Sequence, residues 1–321
     1  MISCLLNRQI LTIFCKANVQ KYPFWILFFY LDLLKRISLT TTLFNNEITA
    51  SIHHIGAELI SLKNNSEREF IWEGNPEFWG KHSPVLFPIV GTLKNNQYQH
   101  KNKTYSLSRH GFAREMEFQL IEKSDNTATF SLVSNIETLK IYPFDFEFRI
   151  IYTLEKNQLK IGYGVYNKGK DSMFFSVGAH PAFALPLPFE DYSIEVEKDE
   201  ILTYHLLESD LISNTTQAVA TENKKFRLNY PLFEKDALIF KSLQSESLTI
   251  FEKDKALLKI EFNDFPNLGI WTKNNAPFIC IEPWFGYSDS VESNGRLSEK
   301  EGIQSLNANG IFNCAFTINV L

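Results

Sequence analysis

Apolar and polar positions alternate with a period of two through most of the chain, the spacing of a half-buried strand. Thr127–Ser134 (TATFSLVS) and Phe144–Leu154 (FDFEFRIIYTL) carry this alternation. Leu159–Tyr166 (LKIGYGVY) resumes it after the polar turn Glu155–Gln158, which predicts a hairpin. Further strands are predicted at Tyr192–Val196, Leu248–Glu252, Ala256–Phe262, Leu268–Thr272, Phe278–Glu282 and Cys314–Val320. Helical periods are scarce, with one turn at Pro76–Trp79 and another at Ser298–Ile303. Short strands at close intervals predict an all-β fold, an antiparallel β-sandwich or barrel. No fixed repeat suggests a propeller. No low-complexity linker divides residues 37–321, which are expected to form one domain.

Residues 1–36 depart from this pattern. Pro23 to Leu34 (PFWILFFYLDLL) is the most apolar window, flanked by Lys16, Lys21, Lys35 and Arg36. A membrane-crossing helix needs roughly 20 apolar residues. This run is shorter, contains Asp32 and is followed by no small-residue cleavage site. Three readings remain: an atypical extension, a weak interfacial anchor, or upstream sequence included at the gene start. The last is preferred, and a membrane partner is not expected.

Composition narrows the partners. A formal net charge of -5 and the lack of a basic block argue against nucleic acid. Cys4, Cys15, Cys280 and Cys314 show no CxxC spacing, so neither a zinc site nor a redox motif is expected, and a reducing, cytoplasmic compartment fits. The 28 phenylalanines, 12 tyrosines and 5 tryptophans suit pleated surfaces and offer flat apolar faces on which sugar rings stack.

Four polar residues stand out. FFSVGAHPAF (Phe174–Phe183) ends an apolar strand in Gly178, then His180, then Pro181. Gly178 permits unusual backbone geometry or the close approach of another group. His180 is either a core histidine bonded to a carbonyl or a group presented at a sheet rim. In SRHGFARE (Ser108–Glu115), His110, Arg109 and Arg114 form either a solvated loop or a polar clamp for hydroxyl groups. In CIEPWFGYSD (Cys280–Asp289), Glu282 ends an apolar strand before Pro283, and Trp284 follows as a stacking face. A buried carboxylate is costly unless paired or used, and burial raises its pKa toward a useful range for a base. Asp236, before an apolar strand in FEKDALIF, is a turn or cap residue or a ligand group. The adjacent His53 and His54 point to opposite faces of a strand and read as structural. There is no G-x-S-x-G and no phosphate-cradling GxxxxGK[ST] loop.

HGFAR, VGAHPAF, NDFPNLGIW, CIEPWFGYSD and EKEGI, in this order, resemble the aldose 1-epimerase (galactose mutarotase-like) superfamily and within it the LacX-type branch. GAEL, FIWEG and SPVLFPIVGTL extend the likeness, which spans about Thr41 to Val320. The resemblance implies a large β-sandwich with a sugar in a cleft across one sheet. It matches the catalytic glutamate to Glu282, which takes the anomeric proton, and the catalytic histidine to His180, which protonates the ring oxygen. It matches a second, substrate-holding histidine to His110 and a binding aspartate to Asp236. It implies no metal and no cofactor. One departure is visible: Gly91–Tyr98 (GTLKNNQY) lacks the arginine that galactose mutarotases carry there, leaving Lys94 or Arg114 as substitutes. The implied partner is a small sugar, free or phosphorylated. A sugar-binding module and a glycoside hydrolase are the rival functions, and the hydrolase ranks last because only one strong carboxylate is present.

Overall fold

The computed structural model describes residues 39–321, and the extension read at residues 1–36 lies outside the described residues. Two large antiparallel sheets face each other. In the nine-stranded sheet the order is Lys225–Arg227, Tyr192–Val196, Ser247–Glu252, Lys255–Glu261, Ile311–Val320, Gln158–Asn167, Phe146–Glu155, Thr127–Val133 and Gln119–Lys123. The expected hairpin is present, with Leu154 opposite Leu159. The second sheet runs Leu211–Ala218, Thr203–Glu208, Leu238–Phe240, Asn267–Trp271, Phe278–Phe285, Val177–Ala179 and Val85–Leu86, and Ala182–Ala184 also pairs with Phe278–Phe285. A three-stranded sheet, Thr40–Phe44, Ile48–His53 and Glu58–Asn64, precedes them.

Aromatic rings fill the space between the large sheets. Phe285 meets Phe312 edge-on at 4.9 Å, and Phe87 stacks on Phe148 at 4.6 Å. A phenylalanine-rich chain can build this interface because each ring removes a large apolar area from water at few rotatable bonds.

The helical expectations are met only as short turns. Phe78 and Trp79 both donate backbone N–H groups to the Asn75 carbonyl, and a 3-10 turn covers Leu297–Glu299 rather than Ser298–Ile303. A six-residue helix, Ile136–Ile141, was not anticipated, since six residues hold too little periodicity to register. Asn135 and Thr138 close a capping box at its start. Among the described residues no helix is long and apolar enough to cross a membrane.

One expectation needs correction. Glu282 does not end its strand at Pro283: the strand continues to Phe285 and places Glu282 in its middle. Leu268 stands opposite Pro283 and Asn267 opposite Trp284, so pairing persists beyond the proline. The strand is buried on both faces, and alternation sorts it. Ile279 and Ile281 enter the inter-sheet core, with Phe285 packed against it. Cys280, Glu282 and Trp284 point the other way.

Gly178 and Gly269 make room for that second face. A Cβ on Gly178 would lie 2.5 Å from Trp284 Cδ1, and one on Gly269 2.5 Å from Trp284 Cη2. Of the two reasons proposed for Gly178, the close approach of another group is therefore the operative one. Gly178→Ala should cost about 1–3 kcal/mol of stability through overpacking. Denaturant unfolding checks this, and a wild-type midpoint would contradict it.

Candidate active site

The outward face of the second sheet carries a cavity of about 280 Å³, near the lower end of small-molecule sites, at roughly 300–1,000 Å³. Its construction follows from strand register. Gly178 stands opposite Trp284, and Ala182 opposite Cys280. Both pairings keep the same register, so His180 falls opposite Glu282 although Pro181 interrupts the ladder. On the other side Gly269 stands opposite Glu282 and Ile239 opposite Gly269. A transverse row of Ile239, Gly269, Glu282 and His180 thus forms the cavity wall.

The two ionisable members of this row touch. His180 Nε2 lies 3.2 Å from Glu282 Oε2. They are 8% and 1% exposed, values that decide their protonation. Burial pushes the Glu282 carboxyl well above the carboxylate range; the Asp236 charge adds to this and Arg109 opposes it. Burial pushes the His180 imidazole below its ordinary value, with Arg109 and Arg114 adding to the effect. The pair therefore rests as a carboxylic acid beside a neutral imidazole. His180 Nδ1 and Glu282 Oε2 have no hydrogen-bond partner in the protein. Buried polar atoms of this kind are uncommon and mark places built for something else.

Rings hold His180. Trp79 stacks on it at 4.8 Å and 27°, and Trp271 meets it edge-on at 5.9 Å. Trp284 forms the floor, its Nε1 donating to the Ala179 carbonyl at 3.1 Å. His110 stands 5.7 Å from His180, ring to ring. It has a left-handed φ of 68°, and its Nδ1 accepts from the Gly91 N–H at 3.1 Å. Arg109 Nε approaches the other ring nitrogen, Nε2, at 3.2 Å, and a neutral imidazole accepts at only one of its two nitrogens. Burial lowers His110 as well, and the charges of His180, Arg109 and Arg114 add to this.

The remaining expected residues divide. Asp236, Arg114 and Arg109 all line the cavity. Asp236 has φ 80°, and its Oδ1 accepts from the Ala237 N–H at 2.7 Å, so its turn role and its place at the site coexist. Arg114 Nη2 donates to the Arg109 carbonyl at 3.0 Å, and its buried Nε, without a hydrogen bond, lies 3.6 Å from Glu115 Oε1. Lys94 is not at the site. Its ammonium donates to the Val291 carbonyl at 2.7 Å, and it borders a different surface hollow. Of the two substitutes for the missing arginine, the structure brings Arg114 to the cavity and not Lys94.

Sequence reasoning missed Trp79 and Trp271, which it read only as elements of a turn and a strand. It also gave EKEGI no role. Lys300 of that segment is buried with Asp289, Nζ to Oδ1 at 2.9 Å, and donates to the Tyr287 carbonyl at 2.6 Å. Asp289 Oδ2 in turn accepts from the Lys94 backbone N–H at 2.9 Å. Ser288, between them, accepts from the Thr92 N–H at 2.9 Å and faces the cavity. The buried pair thus fixes the loop that closes one side of the site.

A family model for aldose 1-epimerase matches residues 39–299. The chain belongs to the aldose 1-epimerase family, in its LacX branch. It is 36% identical to the chromosomal LacX protein of Lactococcus lactis, across 82% of this chain and 93% of that one. A galactose mutarotase-related enzyme from Lactobacillus acidophilus matches with a TM-score of 0.84 and 35% identity, covering 88% of this chain and 97% of its own. A galactose mutarotase-like protein from Lactobacillus casei gives 0.83 and 31%, covering 88% and 100%.

Two measurements test the electrostatics. Between the ordinary carboxylate pKa and the raised one, Glu282 is ionised when unfolded but keeps its proton when folded, so stability falls as pH rises through that window. Wild type should therefore lose melting temperature relative to Glu282→Gln as pH rises above the ordinary carboxylate range; a constant difference would contradict this. Lys300→Ala should cost about 3–5 kcal/mol, because it leaves the Asp289 charge buried and unpaired. A chemical unfolding curve unchanged from wild type would refute that role.

Proposed function

We propose that the protein is an aldose 1-epimerase interconverting the α- and β-anomers of a hexose or hexose derivative by general acid–base ring opening. The observation that carries this reading is the 3.2 Å approach of His180 Nε2 to Glu282 Oε2, both buried at one cavity where desolvation disfavours charge on each. Opening the ring needs one group to take the anomeric hydroxyl proton and another to protonate the ring oxygen. With a proton on His180 and Glu282 ionised, Glu282 is the base and His180 the acid. The aldehyde then turns about one bond and recloses with the roles exchanged. A cyclic substrate can open in this sense only after the proton has passed from Glu282 to His180; the carboxylic acid beside neutral imidazole is the state that faces the open aldehyde, and reclosure restores the charged pair. His110 and Asp236 are the proposed hydroxyl partners, and Trp284 the stacking face.

A phosphorylated hexose is a second reading, favoured by one observation: the Arg109 and Arg114 guanidiniums both line the cavity, and planar donors suit phosphate oxygens. Anomer exchange, followed by polarimetry or saturation-transfer NMR on hexoses and their 6-phosphates, tests both. Glu282→Gln should slow exchange by about 10²–10⁴-fold, while sugar binding survives. Wild type that binds sugar without accelerating exchange would leave a carbohydrate-binding module in its place.

A further inference from the structure

Cys280 takes no part in this mechanism, yet it lies against it. It shares one face of the Phe278–Phe285 strand with Glu282, and His180 stands across the ladder from that glutamate. One donor atom from each of the three lies within 4.8 Å of the other two. All are buried, with Cys280 fully so and its thiol free. His180 Nδ1 and Glu282 Oε2 are without hydrogen-bond partners in the protein.

We propose that His180, Cys280 and Glu282 form a site for a zinc-class divalent ion that occupies the catalytic pair and blocks it reversibly. The site rests on geometry; the blocking rests on the function proposed above. Imidazole, thiolate and carboxylate are zinc's ordinary donors, at about 2.0–2.3 Å from the metal, so tetrahedral ligands lie roughly 3.3–3.8 Å apart. His180 Nε2 and Glu282 Oε2 are already at this spacing, 3.2 Å apart, and the 4.8 Å limit on the three donors leaves about 1 Å for the thiol to close. Three protein donors leave a fourth position for a water or a sugar hydroxyl. Magnesium and calcium prefer oxygen donors and are poorly served by the thiol. The ion is an inhibitor here and not a cofactor, because it takes the atoms that proton transfer requires. Sequence spacing concealed the site, since a histidine and a strand pair far apart in the chain supply it only through register.

The metal-free protein titrated with Co²⁺ provides a test independent of activity. Wild type should develop a thiolate-to-cobalt charge-transfer absorption that Zn²⁺ displaces, and Cys280→Ser should lack it. Cys280→Ser should keep anomer exchange but need at least about tenfold more zinc for half-inhibition. Cys280→Ala serves the same comparison if the serine variant does not fold. Cobalt binding without a thiolate band, or equal zinc sensitivity in wild type and variant, would overturn the proposal. A thiolate band in a protein with no exchange activity would leave the metal site standing and remove the mutarotase function instead.

Discussion

Everything at the site depends on a register. Two short segments, separated by His180 and Pro181, pair with one long strand in a single alignment, and that alignment delivers an imidazole onto a carboxyl group in the interior. A shift by one residue would turn Glu282 into the aromatic core and leave the histidine facing apolar neighbours. The register is held by packing on both sides of the strand, so the position of the His180–Glu282 pair and the stability of the sandwich have one cause.

Burial then does the electrochemical part. Desolvation is the largest influence on each residue. Because it disfavours charge on both, it pushes the acid up and the base down. The pair keeps a proton where solvent-exposed groups of the same kinds would stand as separate ions. The rings of Trp79 and Trp271 maintain that dryness while fixing the imidazole plane.

Much of this was legible in the residues. Alternation located the principal strands, and Thr127–Val133, Tyr192–Val196 and Ser247–Glu252 lie within a residue of their expected bounds. Tertiary contacts were another matter. Pro283 suggested a strand end, but a proline can sit in a strand that packing secures on both faces. Lys94 looked available because it lies in the segment that lacks the expected arginine, yet nearby carbonyls hold its ammonium elsewhere. Trp79 and Trp271 carried no signal of their own, since a tryptophan's direction is set by which strand it neighbours. Gly178 was correctly suspected of admitting a neighbour, but the neighbour, Trp284, could be named only from the fold.

The indole floor has an evolutionary corollary. Trp284 is wedged against two glycines whose side-chain space it fills, and its nitrogen is tied to the backbone. It cannot be exchanged or tilted without remodelling three strands at once. Changes in what the cavity admits are therefore cheapest at the rim, where Arg109 and Asp236 sit outside the strands, while the indole floor below is held by the whole sheet.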